Sequence, residues 1–123
     1  MPYTILVVDD DYSALEILSF LLEREGYQIL TASDGEEGLA RLHERRPDLV
    51  VTDYWMPKLD GIGFCERMRE DERYRDIPVI MMSAAAREGP KPPGVVAIFG
   101  KPLLFPALLS AVKQILDEKK RRT

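Results

Sequence analysis

Six side chains in this sequence could do chemistry together. They are Asp9, Asp10 and Asp11 in ILVVDDD, Asp53 closing DLVVTD, Ser83 after IPVIMM, and Lys101 in GKP. Each stands directly behind a short apolar run. Carboxylates gathered in one place repel, by roughly 4 kcal/mol for two unit charges about 4 Å apart at an effective dielectric near 20. Either one takes a proton or a cation neutralises the set. A few hard oxygen ligands, with room left for water, suit Mg²⁺ or Mn²⁺ better than zinc. A lysine and a hydroxyl on the same rim are then donors to an anion held beside that metal, a combination that serves phosphoryl transfer by charge neutralisation and positioning. Taken singly, each residue also has a plainer reading. The acids could be turn and cap residues, which is the expectation for Asp11, Lys101 a solvated loop lysine, and Ser83 a helix cap.

Elements of the right kind exist to bring these residues together. Continuous apolar runs, expected where a sheet is covered on both faces, predict strands at 3–8, 28–32, 48–53, 77–83 and 95–99. Between and after them, helical patterns run from about Tyr12 to Glu25, from a Ser33 or Asp34 cap to about Arg45, from about Gly63 to Glu72, and from about Leu103 to Lys120. Leu15, Leu18 and Leu22 form one inward stripe, and Leu39, Leu42, Phe64 and Met68 others. Pro90, Pro92, Pro93 and Gly94 cannot sustain a helix, so the fourth helix should be a single turn or absent. This βα alternation predicts an α/β fold, a doubly wound parallel five-stranded sheet of order 2-1-3-4-5. Ligands collect beyond the carboxyl ends of such strands, where the order reverses. There Asp9 and Asp10 meet Asp53. The aspartate precedes the turn residues Pro57, Asp60 and Gly61 because the strand itself must hold it.

Composition narrows the classes further. A chain of 123 residues fits one domain able to bury roughly two-thirds of its unfolded surface. A net charge of −4 argues against a nucleic-acid binder, and one cysteine excludes a disulfide framework and Cys-rich zinc sites. No membrane span or signal peptide is evident, so the cytoplasm is the expected location. No glycine-rich nucleotide fingerprint follows the first strand. His43 is expected at the surface, Cys65 as a small helix residue without a redox role, and the basic end at 117–123 as a solvated, dipole-matched charge run.

The segments ILVVDDD, LVVTDYWMPKLDG, VIMMSA and GKP, in that order and each at a strand end, resemble the receiver domain of two-component response regulators. The resemblance spans essentially residues 1–123 and implies the flavodoxin-like (βα)5 fold. It implies a signalling domain, not a turnover enzyme, in which Asp53 accepts a phosphoryl group from a sensor histidine kinase or phosphotransfer protein. It further implies Mg²⁺ bound by Asp10, Asp9, the Asp53 carboxylate and the backbone carbonyl of Trp55. Lys101 and Ser83 would bond the phosphoryl oxygens, and the Lys101–Pro102 bond would be cis. Three departures stand out. Ile98 occupies the usual aromatic or histidine position three residues before the lysine. The interval from Ser83 to Lys101 is about four residues short, which alters the output face. Trp55 and Ala85 flank the place of the hydrolytic water. Two alternatives remain: a phosphorylation-independent pseudo-receiver, and a small Mg²⁺-dependent phosphohydrolase, which usually needs an aspartate where Trp55 stands. The last helix carries an apolar arc of roughly 200°, wider than one sheet face requires, so a protein-binding or homodimer surface there is a further candidate.

Overall fold

The computed structural model describes residues 2–84 and 91–122. The described chain runs β1 (Thr4–Val8), α1 (Tyr12–Glu23), β2 (Gln28–Ala32), α2 (Gly35–Glu44), β3 (Leu49–Asp53), α3 (Gly61–Glu70), β4 (Val79–Ser83), β5 (Val95–Gly100) and α4 (Phe105–Arg122). The strands form one sheet of order β2-β1-β3-β4-β5, every neighbouring pair parallel, as the sequence predicts. The segment expected to hold a shortened fourth helix includes 85–90, and Ala85 with it, outside the described residues.

Burial follows from strand position. The central strands β1, β3 and β4 are buried at every residue, whereas the edges β2 and β5 are only partly covered. Side chains alternate across the sheet, so each face has its own core. Leu6, Val8, Val50 and Met81 pack with Leu42, Phe64 and Met68 of α2 and α3. Ile5, Val7, Val51 and Ile80 pack with Leu15, Leu18 and Leu22 of α1 and with Leu108, Val112 and Leu116 of α4. Ile98 packs on the first side and Phe99 on the second, the opposition expected from a strand without a slip between them.

Side-chain caps set where the helices begin. Asp11 Oδ1 accepts from the Ser13 and Ala14 amides at 3.0 and 3.3 Å, Asp34 Oδ1 from Glu37 at 2.8 Å, and Asp60 Oδ1 from Gly63 at 2.8 Å. The Asp60 cap starts α3 two residues earlier than expected, at Gly61, because it satisfies the Gly63 amide that would otherwise lack a partner in the first turn. Gly26, at φ +96°, turns the chain after α1 in the left-handed conformation that glycine adopts without steric cost. The wide apolar arc of α4 is largely used inside the molecule. Leu108, Val112 and Leu116 are buried, and Phe105, Leu109, Ala111 and Ile115 are half-buried against the same core. Leu104, just before the helix, stays exposed.

Candidate functional site

The carboxyl ends of β1, β3, β4 and β5 bring Asp9, Asp53, Ser83 and Lys101 to one rim. Asp9 follows β1 directly; its amide donates to Ala32 O at 3.1 Å, and its Oδ1 accepts the Asp11 amide at 2.9 Å. Asp53 is the last residue of β3, in register with Met82 of β4. The Tyr54 amide holds it, donating to Met82 O at 2.7 Å and to Asp53 Oδ1 at 3.1 Å. Ser83 ends β4 opposite Gly100, and the Lys101 amide donates to Ser83 O at 3.0 Å, which seats the lysine at the rim. The Lys101–Pro102 bond is cis.

Lys101 Nζ lies 3.0 Å from Asp53 Oδ2 and 3.7 Å from Asp9 Oδ2. Asp9, Asp10 and Asp53 each offer a carboxylate oxygen, all within 4.8 Å of one another; Asp9 and Asp53 are buried and Asp10 is exposed. Burial pushes the Asp9 carboxyl above its ordinary pKa; the Asp11 amide opposes this, the charge of Asp53 adds to it, Lys101 opposes it and Asp10 adds to it. Burial also works against the charge on Lys101, yet the hydrogen bond to Asp53 and the charges of Asp9, Asp53 and Asp10 outweigh it and raise its pKa. One ammonium thus faces three carboxyl groups. The surplus negative charge and the all-oxygen donor set fit a hard divalent cation with vacant places for water. Asp11 does not join the cluster; it caps α1.

The loop after Asp53 is fixed by contacts that the sequence did not announce. Gly61 donates to Tyr54 O at 2.8 Å, and a Cβ at Gly61 would collide with the Asp53 carbonyl. Gly35, at the start of α2, donates to Leu59 O at 3.0 Å, and a side chain there would also collide with Leu59. Lys58 adopts φ +69° and places its Nζ 3.8 Å from Asp34 Oδ2. Met56 is buried, whereas the neighbouring Trp55 is 65% exposed, its indole in solvent. A cavity of about 260 Å³ opens beside the acids between α1 and the chain after Lys101, lined by Asp9, Ala14, Leu18, Lys101 and Phe105 among others. Next to it α1 exposes Tyr12, Ile17 and Phe20. The sequence carried a signal for that patch, since Ile17 and Phe20 are apolar yet lie off the Leu15-Leu18-Leu22 stripe.

The family model described as the response regulator receiver domain matches residues 5–113. The chain belongs to the response regulator receiver family. It is similar to the alkaline phosphatase synthesis transcriptional regulatory protein PhoP of Bacillus subtilis, 44% identical over 88 residues that make up 72% of this chain and 36% of that protein. The DNA-binding dual master transcriptional regulator RpaA of Synechocystis is 44% identical over 80 residues, 65% of this chain and 33% of that regulator. The receiver therefore spans about a third of the length of these relatives. Among solved structures, a CheY-like receiver domain protein from Methanospirillum hungatei superposes with a TM-score of 0.88 at 27% identity, covering 100% of both chains. The chemotaxis regulator CheY4 of Vibrio cholerae gives 0.86 at 28% identity, over 94% of this chain and 99% of that one. This is a signalling receiver with the flavodoxin-like fold, and among its described residues no helix is long and apolar enough to cross a membrane.

Proposed function

We propose that Asp53 is the phosphoacceptor of this receiver, and that residues 1–123 act as one switching domain in the cytoplasm. The observation that carries the reading is the meeting of Asp53 with Lys101 at 3.0 Å inside a cluster of acids. An Asp53 carboxylate oxygen attacks the phosphorus of a phosphohistidine on a sensor kinase or phosphotransfer protein. The P–N bond breaks, its electron pair stays on the imidazole nitrogen, which takes up a proton, and an acyl phosphate forms on Asp53. Lys101 turns its Nζ to a phosphoryl oxygen, and the Ser83 hydroxyl bonds another. Asp9, Asp10, Asp53 and the Trp55 backbone carbonyl would hold Mg²⁺ or Mn²⁺, whose charge neutralises the carboxylates and the incoming phosphoryl oxygens. The domain catalyses only its own phosphorylation and dephosphorylation.

The exposed Tyr12, directly after the acids, and Ile17, which lines the cavity beside them, with Phe20 farther along α1, favour this face as the place where the donor protein docks. Output passes to a protein partner; with the apolar arc of α4 used in the core, the exposed Leu104 just before it is the apolar side chain left there for such a contact, a homodimer included. Ile98 makes that output differ from an aromatic switch, because its aliphatic side chain packs toward α2 and α3 and has no ring to reorient. Incubation with acetyl phosphate and Mg²⁺, followed by intact mass measurement, tests the assignment. One phosphate should be added to the native chain and none to Asp53→Asn. Equal labelling of the two refutes it.

A further inference from the structure

At the end of the sheet opposite the acids, a cavity of about 420 Å³ opens between α3, the chain entering β4 and β5, and the end of α4. Ile77, Pro78, Val96 and Ile115 give it an apolar floor, and Val96 is 45% exposed there. Arg46, Arg69, Arg75, Lys119 and Arg122 line it, against only two acids, Asp76 and Glu118. A chain of net charge −4 thus concentrates positive charge in one concavity.

Some of these cations are already oriented. Arg46 Nε donates to Arg73 O at 3.0 Å, which leaves the outer nitrogens of its guanidinium for another partner. Lys119 pairs with Asp48 at 2.9 Å. Arg69 lies along Gly94, where a Cβ would stand 3.4 Å from its Cδ and 3.5 Å from its Nη1. The side chains of Arg69, Arg75 and Arg122 make no hydrogen bond or ion pair with any described residue. Helix carbonyl ends collect on this side of a parallel α/β fold, and cations there offset the helix dipoles. That accounts for Lys119 and Arg122 at the end of α4. It does not account for Arg75, five residues beyond α3, or for the apolar floor.

We propose that this cavity binds a small phosphate ester with an apolar or aromatic body, of mononucleotide size, on the side of the receiver opposite Asp53. Guanidinium forks match phosphate oxygens pairwise, and the volume falls in the range of small-molecule sites. A nucleic-acid duplex fits less well. It would have to approach a molecule of net charge −4 over a far larger area, whereas a small dianion meets only the local positive field.

The test is a two-dimensional amide NMR titration in EDTA, with adenosine 5′-monophosphate as probe and inorganic phosphate and adenosine as controls. Saturable shifts should appear at Gly94, Val96 and Ile115, with inorganic phosphate about tenfold weaker or more and adenosine without effect. Arg75→Ser with Arg122→Ser should weaken binding about tenfold or more, while the unliganded melting curve falls only by the small helix-end contribution of Arg122. Arg75→Lys, which keeps the charge and loses the fork, should fall between. The same shifts in Asp53→Asn keep this result separate from the phosphoacceptor assignment. Absence of saturation, shifts confined to the Asp9–Asp53 rim, or binding unchanged in the double variant overturns the proposal and leaves the arginines as offsets to helix ends. A short DNA duplex that binds where the nucleotide does not overturns it as well.

Discussion

Lys101→Met probes the charge balance of the acid rim. The ammonium stands 3.0 Å from Asp53 and 3.7 Å from Asp9. Coulomb's law at an effective dielectric of about 20 makes these attractions roughly 5.5 and 4.5 kcal/mol. Both are gross figures. The lysine side chain is 29% exposed, so water screens part of the attraction, and methionine avoids the desolvation that a lysine suffers on folding. A net loss of about 2 kcal/mol is expected at neutral pH without metal. For 123 residues the unfolding entropy converts this to a midpoint lower by about 8 °C. The pH dependence has a definite sign. Asp9 has a folded pKa above its ordinary 3.8, so its ionisation opposes folding, and stability falls as pH climbs from 3.8 through the folded value. Losing Lys101 enlarges that fall. Lys101 itself, raised above 10.5, contributes fully below 10.5 and loses its contribution as pH rises through the folded value. The gap between native and variant proteins should therefore be small in acid and full across the neutral range. Mg²⁺ should narrow it, because no ammonium competes with the dication in the variant. Urea unfolding followed by circular dichroism, in EDTA and in saturating Mg²⁺ from pH 3 to 9 (a span of about six units around the carboxylate and neutral ranges), measures all of this. A variant equal to or more stable than the native protein in EDTA at pH 7, or an identical Mg²⁺ response, refutes the reasoning.

Gly61→Ala should destabilise by about 2 kcal/mol or more, since the added methyl meets the Asp53 carbonyl; it should also weaken Mg²⁺ binding, followed by thermal melting with and without metal. Gly26→Ala, at positive φ but with open space around it, should cost only about 1 kcal/mol and leave the Mg²⁺ response unchanged. The Cys65 thiol is 3% exposed, and burial pushes its pKa up to about 12. It should resist a thiol reagent at pH 8 in the folded protein and react fully in denaturant; fast labelling of the native chain would contradict that burial.

Much of the fold was legible because sheet position leaves a mark on composition. Strands covered on both faces read as ILVV, LVV and VIMM, while the edge strand QILTA mixes in polar residues as its exposure demands. Boundaries were less legible where weak helix formers meet a strong cap. Gly61-Ile62-Gly63 reads as loop until Asp60 is seen to satisfy the Gly63 amide. The acid rim was legible for a geometric reason: in a parallel sheet, the residues at the carboxyl end of each strand are delivered to the same side. Long-range pinning leaves no such mark. Nothing local in GEEGL reveals that Gly35 must lie against Leu59, or that Asp34 will face Lys58. The basic cavity was equally hidden, because Arg46, Arg69, Arg75 and Arg122 come from four separated places, each of which reads alone as a solvated surface charge.

The order of residues after β3 follows from these contacts. Had turn chemistry come first, Asp53 would sit on a loop, free to move away from Lys101 and from the other acids. Instead the ladder to β4 continues through Asp53, and the Tyr54 amide fixes both the Met82 carbonyl and the Asp53 carboxylate. Only then does the chain bend. Met56 drops into the core, Lys58 takes the left-handed conformation, and Leu59 reaches the first amide of α2. Gly61 can then pass close under the carbonyl of Asp53 and start α3. Asp53 is thus held on both sides by backbone, and what surrounds it is side chain: the Lys101 ammonium, the Ser83 hydroxyl and the exposed Asp10. A carboxylate fixed by backbone among neighbours held only by their own side chains is the arrangement in which a change of charge at one oxygen is answered by those neighbours instead of by the carboxylate itself.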